Sequence, residues 1–139
     1  MSQNGRTQQR LLVVDDDAGV SGLITAVAEE EGYTVVTLAD GREAYRQLKS
    51  DANFNAVVLD MMIPHLRGLD IARYMRTENR LMRIPIVMIT GGDELSLMAD
   101  SFSAGATAFL PKPFTAEQLQ NTLRLFLNRK QVRKASAAR

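Results

Sequence analysis

Five short apolar runs, each followed by an amphipathic stretch, divide the chain from position 10 onwards. This alternation predicts repeated βα units around a parallel sheet. The first, third and fourth runs lack polar alternation, as expected of strands that helices cover on both faces. The predicted strands are Arg10–Asp15, Thr34–Leu38, Ala56–Asp60, Ile84–Thr90 and Ala106–Leu110. The fold class is therefore α/β, a (βα)5 doubly wound five-stranded parallel sheet, whose ligands bind at the carboxyl ends of the strands.

Helix boundaries are marked by capping signals between these strands. Asp40 with Glu43, and Thr115 with Gln118, have the spacing of a capping box. Gly32 follows three glutamates and is placed as the glycine that ends the first helix. These signals support helices after the first, second and fifth strands.

Composition narrows the class of protein and the kinds of site. A chain of 139 residues, 45% hydrophobic and 24% charged, fits one globular domain. Its apolar runs are far shorter than the roughly 20 residues that cross a bilayer, and positions 1–10 lack a signal-peptide core. The absence of cysteine excludes disulfides and thiol chemistry. We therefore expect a soluble, cytoplasmic protein with no membrane contact.

The two ends of the chain differ in charge from its body. We predict a disordered N-terminal tail at 1–9, one domain at 10–128 and a basic C-terminal tail at 129–139. The C-terminal tail carries five basic residues and no acid. Removing these five from 17 leaves 12 basic against 16 acidic residues, a net charge of −4 for residues 1–128. A short basic end without aromatic residues is typical of a solvated terminus, so no nucleic-acid binding is expected.

Polar side chains stand at the carboxyl ends of four predicted strands. Asp15 and Asp16 follow the first strand, Asp60 ends the third, Thr90 ends the fourth and Lys112 follows the fifth. Carboxylates that converge at one sheet edge cannot all stay ionised unless a cation lies among them. Mg²⁺ is a hard cation that binds proteins through one or two carboxylates, so the pattern predicts a magnesium site.

A phosphoryl group accounts for the remaining residues of this edge. A carboxylate can act as a nucleophile and form an aspartyl phosphate, while an ammonium and a hydroxyl stabilise the transferred oxygens. Asp60 would attack, Lys112 would pair with a phosphoryl oxygen and Thr90 would donate a hydrogen bond.

Four segments of the chain resemble the motif blocks of the response-regulator receiver family of two-component signalling. They occur in the family's order, and the resemblance covers about residues 9 to 128; the segments are LLVVDDD, VVLDMMIPHLRG, IVMITGG and AFLPKPF. The resemblance implies the flavodoxin-like strand order 2-1-3-4-5, for which a chemotaxis receiver is a known example.

The resemblance also assigns the metal site. It implies that Asp60 is the phosphorylated residue and that Asp15 and Asp16 join it in holding Mg²⁺, which Mn²⁺ can replace. The backbone carbonyl of Met62 would be a further metal ligand.

The switch residues are likewise implied by the resemblance. Thr90 matches the switch hydroxyl, Phe109 the switch aromatic and Lys112 the family lysine, with Pro113 following where the family has a cis peptide. A histidine kinase or histidine phosphotransfer protein would phosphorylate Asp60. The face of the fourth helix, fifth strand and fifth helix would then change and control a protein partner, in a monomer or a phosphorylation-dependent dimer through that face.

Competing interpretations remain open at this point. Asp17 is expected to cap the first helix rather than bind metal, and His65 to be an exposed loop residue rather than a phosphohistidine or ligand. An aspartyl-phosphate hydrolase usually needs an acid two residues after its nucleophile, where this chain has Met62. We therefore expect a signalling domain that catalyses only its own phosphorylation and slow dephosphorylation. A degenerate interaction module, or a piece of a longer regulator, are the other readings.

Overall fold

The computed structural model describes residues 9–91 and 95–126, which form one parallel sheet between two layers of helices. The strand order is β2-β1-β3-β4-β5, with all neighbours parallel. The predicted doubly wound sheet and its 2-1-3-4-5 order are confirmed. The strands are β1 (Gln9–Val14), β2 (Tyr33–Leu38), β3 (Ala56–Asp60), β4 (Ile86–Thr90) and β5 (Ala108–Pro111).

Helices connect the strands, and the capping residues predicted from sequence lie at their boundaries. They are α1 (Ala18–Glu30), α2 (Gly41–Ser50), α3 (Gly68–Thr77), α4 (Leu95–Ser103) and α5, described over 116–126. Thr115 and Gln118 form a reciprocal capping box, with hydrogen bonds of 2.8 and 3.0 Å. Asp40 accepts a hydrogen bond from the backbone N–H of Arg42. Gly32 has φ of +96°, which a glycine adopts without strain.

Two apolar cores lie on opposite faces of the sheet because successive strand side chains alternate between faces. Leu12 and Val14 pack with α2, α3 and the end of α4. Leu11 and Val13 pack with α1 and α5. This double coverage explains why β1 is apolar without alternation.

The largest differences from the predicted strand boundaries are at the starts of β4 and β5, each two residues later than predicted. β4 begins at Ile86 rather than Ile84, because Pro85 has no N–H to give the ladder and the Ile84 N–H bonds to Leu81 in a turn. β5 begins at Ala108 rather than Ala106, whose N–H bonds back to Ser101 of α4.

The described residues begin at Gln9 and end at position 126. Gln9, placed in the N-terminal tail, pairs with Tyr33 as the first residue of β1. Residues 1–8 and the predicted basic tail at 129–139 lie outside the described residues. Within 9–91 and 95–126, none of the helices has the length and apolar character that a bilayer crossing needs.

Candidate functional site

Three carboxylates meet at the carboxyl edge of the sheet. Asp60 is the last residue of β3, and Asp15 follows β1, which lies beside β3 with Val14 opposite Leu59. One oxygen each from Asp15, Asp16 and Asp60 lies within 4.8 Å of the others. Asp15 and Asp60 are buried, whereas Asp16 is exposed. The neighbouring strands thus bring together the three acids that the sequence predicted.

Lys112 follows β5, the edge strand two positions from β3, and its side chain extends to the acids. Its Nζ lies 3.0 Å from Asp15 Oδ2 and 2.9 Å from Asp60 Oδ2. The segment after β5 is held in place because the Lys112 backbone N–H donates to the carbonyl of Thr90 at 2.7 Å. The Lys112–Pro113 peptide is cis, as the resemblance implied.

Burial and charge pull the ionisation of this cluster in opposite directions. Burial raises the pKa of Asp15, as does the charge of Asp60, while the Asp17 N–H and the contact with Lys112 lower it. Burial lowers the pKa of Lys112, but its contacts with Asp60 and Asp15 outweigh this effect and raise it overall. Lys112 therefore stays protonated as the counterion of two buried carboxylates.

The segment after Asp60 is fixed against the first turn of α3. The Met62 N–H donates to Asp60 Oδ1 at 3.0 Å, and the Met62 residue is 71% exposed. The Gly68 N–H donates to the Met61 carbonyl at 3.2 Å. A Cβ at Gly68 would lie 2.4 Å from the Asp60 carbonyl oxygen, so only glycine permits this approach.

The two predicted switch residues lie on the strands beside Asp60. Thr90 is buried at the end of β4, one residue beyond Ile89, which is opposite Asp60. Phe109 on β5 is half-buried and packs against the core beneath α2, α3 and α4. Thr90 thus lies at the same carboxyl end of the sheet as the acids. Phe109 lies further from that end, on β5, two strands away from Asp60.

Two polar residues near the acids have structural partners instead. Asp17 caps α1 and accepts hydrogen bonds from Gly19 and Val20 at 2.9 and 3.2 Å, as expected. His65 is exposed, as expected, and its Nδ1 lies 2.6 Å from Asp40 Oδ2 at the start of α2. His65 is absent from the one metal-compatible cluster found in the described part of the chain.

The donor set of the acidic cluster fits a hard divalent cation. Three carboxylates against one ammonium leave two negative charges. Asp15 Oδ2 is enclosed. Among the described residues it accepts no hydrogen bond of regular geometry, and its one close polar contact is the ion pair with Lys112. Such an oxygen has lone pairs available for a cation. Residues Asp15, Asp16 and Asp60 could therefore hold a metal ion.

Sequence reasoning missed a polar contact between α4 and the Asp60 segment. Ser101 is fully buried, and its Oγ donates to the Met61 sulfur at 3.4 Å. Ser101 follows Leu97 by four residues and precedes Ala104 by three, a spacing that places it on the inward face of α4. That spacing was the available signal.

Comparison with known proteins identifies the family of the chain. The model of the "Response regulator receiver domain" matches residues 11–124. Response regulator MprA of Mycolicibacterium vanbaalenii is 40% identical over 120 residues, which cover 86% of this chain and 51% of the relative. The alkaline phosphatase synthesis transcriptional regulatory protein SphR of Synechococcus elongatus is 35% identical, covering 88% and 50%. The chain thus spans about half the length of the curated relatives it matches.

Solved structures give the same result for the fold. The chemotaxis response regulator CheY4 of Vibrio cholerae superposes with a TM-score of 0.79 at 29% identity, covering 86% of this chain and 99% of the other. A CheY-like response regulator receiver domain protein from Methanospirillum hungatei gives a TM-score of 0.80 at 25% identity, covering 91% and 99%. The chain therefore belongs to the response regulator receiver family of two-component signalling, whose members are signalling domains rather than conventional enzymes.

Proposed function

We propose that Asp60 is the phosphoacceptor of this receiver domain and that its phosphorylation controls a protein partner. The observation that carries the proposal is the setting of the Asp60 carboxylate. One oxygen accepts from the Met62 N–H and the other lies 2.9 Å from Lys112, beside the carboxylates of Asp15 and Asp16. A carboxylate held among fixed donors at a strand end is well placed to accept a phosphoryl group.

The chemical step is a transfer from a phosphohistidine of a histidine kinase or histidine phosphotransfer protein. A carboxylate oxygen of Asp60 attacks phosphorus, the phosphorus–nitrogen bond breaks, and the electron pair leaves with the imidazole, which takes up a proton. The product on the chain is an aspartyl phosphate. The ammonium of Lys112, already 2.9 Å from Asp60, would stabilise the negative oxygens of the transferred group. Loss of the phosphate would follow from slow attack by water.

A magnesium ion fits this proposal. Asp15, Asp16 and Asp60 would hold it through their carboxylates and Met62 through its backbone carbonyl, and Mn²⁺ can substitute. Bound there, the ion supplies positive charge beside the transferred oxygens. Asp15 and Asp16 are suited to this role because a carboxylate oxygen of each lies within 4.8 Å of one from Asp60.

The output is proposed to be a change of the face made by α4, β5 and α5. Thr90 would donate to a phosphoryl oxygen and Phe109 would turn inward beneath α4. The backbone bond from Lys112 to Thr90 supports this coupling, because it ties the end of β5 to the end of β4. The face would then bind a downstream protein or a second copy of the chain. Nucleic acid and membrane are not among its proposed partners.

The proposal is tested by incubating the chain with Mg²⁺ and acetyl phosphate and measuring intact mass. We expect a gain of about 80 Da, one phosphoryl group, that depends on Mg²⁺. Asp60→Asn should abolish the gain, because an amide is not the required nucleophile.

Asp17→Asn is the matched control. It makes the same change two residues after Asp15, at the cap of α1, and should retain the gain. An adduct that persists in Asp60→Asn would overturn the assignment. Steady release of many phosphates per chain from unrelated phosphomonoesters would instead identify a hydrolase.

A further inference from the structure

A buried hydroxyl links α4 directly to the residue next to Asp60. Ser101 is 0% exposed, and its Oγ lies 3.4 Å from the Met61 sulfur and 2.9 Å from the carbonyl oxygen of Leu97. A hydroxyl has one hydrogen and two acceptors here, so it can donate fully to only one of them at a time. The hydroxyl hydrogen can therefore point to either acceptor from the same Oγ position.

Met61 is positioned to carry a displacement of Asp60 to this hydroxyl. It is 3% exposed and follows Asp60 in the chain. Its N–H donates to Ile89 of β4 at 2.8 Å, and its carbonyl accepts from Gly68 of α3 at 3.2 Å. Because its backbone is held on both sides, a change in the end of β3 must be transmitted through packed neighbours, of which Ser101 is one.

The carboxyl end of α4, which carries Ser101, is anchored to α3. Arg76 donates twice to the Gly105 carbonyl, at 3.0 and 2.7 Å, and once to the carbonyl of Ile84 at 2.9 Å. A Cβ at Gly105 would lie 2.5 Å from Arg76 Cγ. Ser101 is four residues from Gly105, about one helical turn. Because this end is fixed, a push at Ser101 would turn α4 about its carboxyl end rather than slide the whole helix.

We propose that Ser101 is a positioning residue that couples Asp60, through Met61, to the orientation of α4. This route is separate from the one through Thr90 and Phe109, and it rests on the proposed phosphorylation of Asp60. A shift of Met61 removes the sulfur acceptor, the hydroxyl turns fully to Leu97, and the packing between α4 and the β3–α3 segment changes. The equilibrium of α4 is thereby biased by the state of Asp60.

The test is hydrogen exchange of the α4 amides with and without beryllofluoride and Mg²⁺, which form a stable mimic of the aspartyl phosphate. Ser101→Ala should reduce the beryllofluoride-dependent change in exchange rate by about two- to five-fold, the effect of one weak hydrogen bond. Met61→Leu, which removes the sulfur acceptor with little change in side-chain volume, should give the same reduction. The double variant should show no further loss, because both changes break one contact.

Two controls separate coupling from a general change in α4. Ser103→Ala replaces an exposed serine of the same helix and should leave the response at the parental value. Ser101→Cys keeps a donor of similar size and should restore part of the response. If Ser101→Ala does not fold, Met61→Leu carries the same test with a volume-conserving change.

Additive effects of the two changes, or a parental response in both single variants, would overturn the coupling. Intact mass after acetyl phosphate treatment is measured in parallel, so that failure of Asp60 to react is seen separately. If Asp60 does not react, the hydrogen exchange of the α4 amides is compared among the untreated variants instead. Equal, non-additive acceleration in Ser101→Ala and Met61→Leu supports the contact as a coupling element, and unchanged exchange overturns it.

Discussion

Lys112 occupies the space between two buried carboxylates before any phosphoryl group arrives. Its Nζ is about equally close to Asp15 and Asp60, at 3.0 and 2.9 Å. The ammonium has three N–H donors, enough for both acids and a phosphoryl oxygen. Phosphorylation would still redistribute its contacts, because the Asp60 carboxylate loses its charge when it forms the phosphate ester. Lys112 is therefore both the resident counterion of the site and a competitor of a bound cation.

Replacement of Lys112 by methionine should raise the affinity for Mg²⁺ by roughly ten-fold. Removing one positive charge from a partly buried site at a few ångströms is worth on the order of 1 to 4 kcal/mol of repulsion relieved. Calorimetric titration of Mg²⁺ at about pH 8, where carboxylates are ionised, measures the change. The same variant should form the acetyl phosphate adduct much more slowly.

Arg124→Met is the matched control for this titration. Arg124 pairs with Glu31 on α1 and does not contact the acidic cluster, so its loss should leave the affinity for Mg²⁺ unchanged. Equal affinity in the parent and the Lys112 variant would show that the ammonium does not compete with the cation.

At the residue scale, the acids and Lys112 could be placed from sequence because strand ends are local features. Asp15, Asp60 and Lys112 each follow an apolar run, and parallel strands carry their carboxyl ends to one edge. The contact between Ser101 and Met61 could not be placed in this way. It depends on how α4 packs against the segment that follows β3, and no local pattern specifies which two side chains meet.

At the level of elements, the approach of α3 to β3 decides the position of Asp60. Gly68, the first residue of α3, packs against the backbone of Asp60 and Met61. The chain segment between the two elements is also tied to α2, because the Gly41 N–H donates to Pro64 at 3.0 Å. The phosphoacceptor therefore lies at a junction of three elements.

Gly68→Ala should destabilise the protein by about 1 to 3 kcal/mol and slow adduct formation. The added Cβ would lie 2.4 Å from the Asp60 carbonyl oxygen, so backbone must shift. Gly22→Ala is the control, because a Cβ there meets nothing within 4 Å in the middle of α1. It should stabilise by up to about 1 kcal/mol through helix propensity. Urea unfolding and the rate of the mass gain measure both effects; equal stability of the two variants would contradict the close approach.

The two strand starts that lie furthest from the sequence prediction belong to β4 and β5. Ile84 is apolar and buried, and it looks like a strand residue, yet its N–H is used in a turn before Pro85. Ala106 is also buried, but its N–H bonds to the end of α4. An apolar run in the sequence indicates that its residues are buried. The hydrogen-bond partner of each N–H, in contrast, is set by residues outside that run.

For the whole molecule, local pattern predicted the class of fold but not the arrangement of its strands. Continuous apolar runs indicate strands covered on both faces, and β1 and β3 satisfy this. They do not specify that β3 pairs with β1 rather than with β2. The order came from the resemblance of the four motif segments to a family with that topology.

Global stability should fall at alkaline pH through Tyr33. Burial, reinforced by the charge of Glu31, raises the pKa of Tyr33 from 10.0 to about 12. The native state therefore holds this proton more tightly than the unfolded chain does. The resulting stabilisation is fully present below about pH 10 and is lost as the pH rises through about 12. It amounts to about 2 to 3 kcal/mol.

Tyr33→Phe isolates this contribution. The variant keeps the ring, which is buried at 4% exposure, but has no phenol to ionise. Between about pH 9 and pH 12, the free energy of unfolding in urea should fall more steeply for the parent than for the variant. Parallel pH profiles would contradict a raised pKa of Tyr33.

The contact between Tyr45 and Tyr74 provides an intrinsic fluorescence probe. Their ring centroids are 4.7 Å apart at the seam between α2 and α3, and the chain has three tyrosines and no tryptophan. Two of the three native fluorophores therefore sit in one helix–helix contact, on the face of the sheet that also carries α4. Their emission should report movement of that layer without a label. A single tryptophan introduced elsewhere could be excited selectively and would accept energy from this pair.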